Sequence, residues 1–194
     1  MRTELGAGVP AAAIGEAVAA TRAFLRSSEA GEDAVLTRAA GAAFALAEAF
    51  IGAVPIVATH EEVLPVDGGW QRLTRAPVRA IAGVTGLPVG AAPFVLPVAA
   101  YAIDIDSAGN GWVRVIASGD AARVAVGYSA GLAADWAALP MGVAQGIVML
   151  TAHLIDERGN GASPPAAVTA LWRPWRRIAL LHARHPAPSR AVQA

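Results

Sequence analysis

The chain has 194 residues, 55% of them hydrophobic and 15% charged, with no Cys. A chain of this length buries roughly 70% of its unfolded surface without a staple, and so apolar a composition excludes disorder over most of it. The net charge of zero is uneven: Met1 to Glu157 holds all 15 acidic residues and 9 Arg, a balance of −6, whereas Arg158 to Ala194 holds 6 Arg and no acid, a balance of +6.

Without Cys there are no disulfides, thiolate nucleophiles or Cys-based zinc sites. All 15 basic residues are Arg, so neither a P-loop nor a Schiff-base lysine can form. The apolar excess suggests surface buried by other subunits. A basic end on an acidic body marks either a charged partner or a basic helix lying over that body.

Met1-Arg2-Thr3-Glu4 lacks the charged-then-apolar order of a secretory signal. The first helical pattern places Ile14, Val18, Thr21 and Leu25 on one line, with Glu16, Arg22 and Arg26 off it. Ser27 to Glu32 is a polar break. A second helix is predicted from Asp33 to Ile51, with Val35, Ala39, Ala42, Leu46 and Phe50 on one face and Gly52 and Pro55 ending it. The most membrane-like run, Gly41 to Ala58, carries Glu48 near its centre and Pro55 near its end. A mid-span carboxylate costs about 2.5–3.5 kcal/mol on insertion, so the run reads as a buried helix and no membrane partner is expected.

From Ile56 to Tyr128 the chain changes character, with Gly and Pro between short runs rich in Val and Ile. Strands are predicted at Ile56–Leu64, Trp70–Thr74, Val78–Val84, Phe94–Val98, Tyr101–Asp106, Gly111–Ala117 and Arg123–Tyr128, with a turn at Ser107 to Gly111. No helical period separates them, so the sheet is antiparallel and hairpin-linked. Helix then returns: Val143, Ile147, Leu150 and Leu154 share a face, and Gly159 closes the helix at Arg158. Ser163 reads as an N-cap before Pro164, followed by Val168, Leu171, Trp172 and Trp175, with a kink at Pro174. The predicted architecture is α+β: a bundle of N- and C-terminal helices (10–52 and 140–185) around an antiparallel β-rich insert (56–128). Together these make one domain over 1–185, and 186–194 form a flexible tail.

Four constellations could carry chemistry. Gly127-Tyr128-Ser129-Ala130-Gly131 matches the G-x-S-x-G nucleophile elbow, with Asp156 and His182 or His185 as partners in chain order. Its surroundings are hairpins, and Pro140 cuts short any helix after the motif, so a strand ending in a glycine loop is the simpler reading. Asp104-x-Asp106 opens like a calcium loop, but Ala108 and Val115 stand where ligands are needed, and a hairpin turn explains it. His60-Glu61-Glu62 lacks a second His; on a strand, His60 and Glu62 share a side, read as a solvated pair. His153, Asp156 and Glu157 share a helix face, read as a polar helix end or subunit contact. No metal or cofactor is expected.

Leu171-Trp172-Arg173-Pro174-Trp175-Arg176-Arg177 interleaves aromatics with Arg. That suits phosphate contact with base stacking, a protein interface anchor, or core Trp with Arg outside. A small serine hydrolase using Ser129 and a DNA-binding module using this basic end are the alternatives to an interaction protein.

From Arg123 to Arg177 the sequence reads as a strand ending in Val126-Gly127-Tyr128, a loop to Leu139-Pro140, a helix containing Ala152-His153-Leu-Ile-Asp156-Glu157-Arg158, and a helix ending Leu171-Trp172-Arg173-Pro174-Trp175-Arg176. This ordered set resembles the head–tail connector (adaptor) family of tailed bacteriophages and gene transfer agents, whose typical run is V-x-G-Y, (V/L)-P, A-H-x-x-(D/E)-x-R and L-L-x-P-(Y/W)-R. Elsewhere only the order of parts agrees; the β insert is longer, and Pro186 to Ala194 runs past the usual stop.

The resemblance implies a non-enzymatic structural protein made in the bacterial cytoplasm and incorporated in the particle neck. It would form a homo-oligomeric ring, commonly dodecameric, seated on the portal protein and presenting a platform to the next neck protein, a stopper or tail terminator. DNA would pass through the channel without specific binding. The resemblance also makes the C-terminal segment the portal-docking element, with Trp172, Arg173, Trp175, Arg176, Arg177, Leu180, Leu181, Arg184 and Arg190 as its candidate residues.

Overall fold

A computed structural model describes residues 3–6, 8–26, 33–156 and 163–177. Among them are strand β1 (Thr3–Gly6), helices α1 (Ala11–Leu25) and α2 (Asp33–Ile51), then strands β2 (Ala58–Pro65), β3 (Gln71–Arg72), β4 (Val78–Pro88), β5 (Phe94–Val95), β6 (Tyr101–Ile105), β7 (Gly111–Val115) and β8 (Ala121–Ala130). Helices α3 (Met141–Asp156) and α4 (Ala166–Trp172) come last, and a 3-10 turn continues α4 through Arg173–Trp175. The architecture is α+β, with the N- and C-terminal helix pairs packed together and antiparallel sheets between them in sequence.

In the helical layer α2 packs on α3, and α1 crosses both. Its core is Ala13, Ala17, Ala40, Ala43, Phe44, Ala47, Ile51, Val143, Ile147, Leu150, Val168 and Trp172. The ends of α2 fall where the sequence places them, but its face does not. Leu36, Ala39, Ala40, Ala43, Phe44, Ala47 and Ile51 are buried, whereas Ala42 is exposed and Leu46 is 44% exposed. The buried face sets Leu36, Phe44 and Ile51 among small alanines that let the backbones approach closely, and Ala42 and Leu46 turn out. By length and composition α2 could cross a membrane; here one of its faces lies in this core. Glu48, the carboxylate within its apolar run, pairs with the Arg75 guanidinium.

The strands form two sheets. One is five-stranded in the order β1-β2-β8-β4-β5, the other three-stranded in the order β3-β7-β6. β8 is central, pairing His60 with Tyr128 on one side and Val84 with Val126 on the other. Leu64, Leu73, Val84, Leu96, Val113, Val124, Val126 and Tyr128 fill the core between the sheets. The short β1, which adds an edge to β2, is an element the sequence pattern did not reveal.

The two cores meet where the chain leaves α2. The Val57 N–H donates to the Ala133 carbonyl oxygen at 2.8 Å, and the Leu132 N–H to that of Val54 at 2.8 Å. A Cβ on Gly131 would lie 2.3 Å from the Val57 nitrogen, so only glycine allows this approach. α4 starts later than expected: its N-cap is Pro165, and no Ser163 cap bond forms. Pro165 disfavours helical geometry at Pro164, so the helix begins only beyond both prolines.

Candidate functional site

The basic C-terminal end begins as a built structure. Trp172 is 2% exposed. Its Nε1–H donates to the Val143 carbonyl oxygen at 3.2 Å, and its ring lies 5.9 Å from that of Phe50. The ring covers Gly146, where a Cβ would lie 2.2 Å from Trp172 Nε1. Pro174, lacking an amide donor, sits in the 3-10 turn that ends this helical segment. On either side of it Arg173, Trp175 and Arg176 face outward: Trp175 is 41% exposed, and Arg173 and Arg176 are exposed. The Arg176 guanidinium lies 5.6 Å from the Phe50 ring centroid, a cation–π contact.

Arg177 ends the described segment and is held at two places. Its backbone N–H donates to the Ile51 carbonyl oxygen at 2.7 Å, at the end of α2. Its guanidinium donates to the Ala108 carbonyl oxygen and reaches Asn110 Oδ1 at 3.5 Å. Burial lowers the Arg177 pKa, and nearby Arg72 lowers it further while Asp106 opposes both. The receiving turn joins β6 to β7 and is organised by Asp106. That carboxylate accepts from the Ala108 N–H at 3.0 Å, the Asn110 N–H at 2.8 Å, Asn110 Nδ2 at 2.9 Å and Trp112 Nε1 at 3.1 Å. Burial by itself would raise the Asp106 pKa; these hydrogen bonds outweigh it and hold the carboxyl below its ordinary value.

The Asp104/Asp106 pattern is therefore a hairpin turn, as the missing ligand positions indicated. The sequence did not show that this turn receives Arg177, although Asp ahead of Gly-Asn-Gly is a turn signature. Leu180, Leu181, Arg184 and Arg190 lie outside the described residues.

Among the described residues the serine motif has no catalytic geometry. Ser129 lies within β8, paired with Thr59 and Ala80, and not on a strand-to-helix elbow. The last glycine of its motif is Gly131, which the approach to Val57 accounts for. Asp156 is exposed at the end of α3, while His182 and His185 lie outside the described residues.

His60 and Glu62 do share a side of β2, but the inner one, so the solvated-pair reading is corrected: they are 5% and 0% exposed. Glu62 accepts from the Thr74 N–H at 2.9 Å, the Thr74 hydroxyl at 2.5 Å and the Tyr128 hydroxyl at 3.4 Å, and the His60 ring lies 5.6 Å from that of Tyr128. Distant partners outweigh the desolvation of the carboxylate here. Among the described residues no three His, Asp or Glu side chains gather as metal ligands; His153 is half-buried on α3, and Glu157 lies outside them.

A bundle and two antiparallel sheets with an anchored basic end have the fold of a phage-like neck protein. The particular relatives are chains of gene transfer agent (GTA) particles. In the neck of the empty GTA particle computed with C6 symmetry, a chain matches with a TM-score of 0.74 and 27% identity, over 95% of this chain and 100% of that one. In the neck of the native particle computed with C12 symmetry, the match has a TM-score of 0.72 and 26% identity over the same shares. A chain of the native GTA virion matches at 0.72 and 28%, again over 95% and 100%. No family model and no curated protein matches this chain.

Proposed function

We propose that this chain is a non-enzymatic head–tail adaptor of a phage-like or gene transfer agent particle. In this reading it forms a ring in the neck, seated on the portal, that extends the DNA channel and receives the next neck protein. The observation that carries the reading is the end-to-end likeness to GTA neck chains, 95% of this chain against 100% of theirs. Agreement over so much of both chains favours the same mechanical task. The C6 and C12 symmetry of those necks supports a ring.

The basic C-terminal end supports portal docking. Trp172 fixes the root in the bundle, and Arg177 pins it to α2 and the β6–β7 turn. Trp175, Arg173 and Arg176 stand exposed beside that root, and the stretch beyond holds Leu180, Leu181, Arg184 and Arg190. Arg offers bidentate bonds to carboxylates, and Trp offers area at low entropic cost, which suits an end that docks on a protein.

The test is deletion of everything after Arg177. The truncated chain keeps its fold and thermal transition but no longer joins portal-bearing particles. Normal incorporation of the truncated chain refutes the docking assignment.

A further inference from the structure

From Ala80 to Ile103 there is no charged residue, in a chain 15% charged. This stretch forms the β4–β5 margin of the five-stranded sheet, and β5 is its last strand among the described residues. Edge strands are ordinarily blunted by charged side chains. Here the margin is apolar and open: Val89 is 88% exposed, Val95 79%, Val98 79%, Ile116 63% and Phe94 37%. The residues are contiguous in the fold. Val89 begins the β4–β5 connection, Phe94 and Val95 are β5, Val98 opens the next 3-10 turn, and the Ile116 N–H donates to the Ala100 carbonyl oxygen at the end of that turn at 2.8 Å. Pro93 and Pro97 flank β5 and cannot donate to an added strand, so the margin offers side chains in preference to backbone.

We infer that this ridge is the face by which one copy of the chain packs against the next copy around the ring. The inference rests on the adaptor reading above. Two observations identify the occupant. The matched neck chains, covered over their full length by this fold, lie in assemblies of C6 and C12 symmetry, where each copy presents one surface to a different surface of its neighbour. The ridge is also uncharged, which gives DNA phosphates nothing to pair with and suits a permanently buried apolar interface.

The experiment places p-benzoyl-phenylalanine at Val95 in the full chain, assembles it into particles in the host, and irradiates them. The expected product is an adduct of twice the chain mass, whose cross-linked peptides both come from this chain. An adduct formed only with another neck protein, or none, from particles that still contain the chain, overturns the inference and leaves the adaptor reading standing. Absence of the unsubstituted chain from particles altogether overturns the adaptor reading and this inference with it. A second arm uses Val95→Asp with Val98→Glu, both at open positions. The isolated variant should keep its circular dichroism spectrum while tailed-particle yield falls at least tenfold; unchanged yield also overturns the inference.

Discussion

The Arg177 N–H and the Ile51 carbonyl oxygen, 2.7 Å apart, join the root of the C-terminal segment to the last residue of α2. The guanidinium of the same residue holds the β6–β7 turn. In Arg177→Ala the backbone bond remains and the turn contact is lost. A half-buried charged hydrogen bond contributes about 1 kcal/mol, so a melting temperature lower by ~2–4 °C is expected. Amide exchange at Ala108 and Asn110 should speed up, and Arg177→Lys should not restore it, since an ammonium lacks the two-pronged reach. Unchanged exchange in the Ala variant would count against the clamp.

Gly146 and Gly15 predict opposite outcomes for one substitution. At Gly146 a Cβ collides with Trp172, whereas at Gly15 nothing lies within 4 Å. Gly146→Ala must displace the indole and should cost about 1–3 kcal/mol, with a shift in Trp fluorescence. Gly15→Ala, on the exposed side of α1, should gain up to ~1 kcal/mol. Denaturant unfolding of the two variants checks both signs.

Removing the Glu62 carboxylate takes this acceptor from the buried Tyr128 hydroxyl and from the amide and hydroxyl of the exposed Thr74. A buried group that loses its acceptor costs about 1–3 kcal/mol, and Glu62→Ala should cost at least that much because it also empties a fully buried position. Tyr128→Phe removes one donor to Glu62 and the acceptor of the Arg75 N–H, both over long contacts of 3.4 and 3.3 Å, and keeps the ring, so it should cost only ~1 kcal/mol. Equal losses in the two variants would show that the carboxylate is not the centre of the network.

Asp106 gives a sign for acid. Its folded-state pKa lies below the ordinary 3.8, so its contribution is complete above that value and is lost as pH falls through the folded pKa. The wild-type melting temperature should therefore carry a term that declines below about pH 4. Asp106→Asn should lack that term while melting lower at neutral pH. Parallel curves for the two proteins would exclude the carboxylate as its source.

The order of helices and strands was legible because Gly, Pro and alternating apolar residues punctuate the chain strongly. The orientation of α2 was not. With Ala at 39, 40, 42, 43, 45, 47 and 49, apolar periodicity hardly distinguishes one face from another, and packing against α3 decides. The parity of His60 and Glu62 was readable, but their direction depends on Tyr128, 66 residues from Glu62, and on Thr74, 12 residues from it. Local pattern holds no record of such partners. The four-residue β1 is placed by pairing with β2, more than fifty residues further along the chain. At the candidate docking end, the Trp and Arg content was visible in sequence. The division into a buried Trp172 and an exposed Trp175 depends on Gly146 admitting one indole.

The double hold on Arg177 has a mechanical consequence. Tension applied to the chain end is delivered simultaneously to the helical bundle and to the smaller sheet, and both must yield before α4 can be peeled from its tip. Such an attachment behaves as a rivet through two plates, sharing any load on the chain end between them.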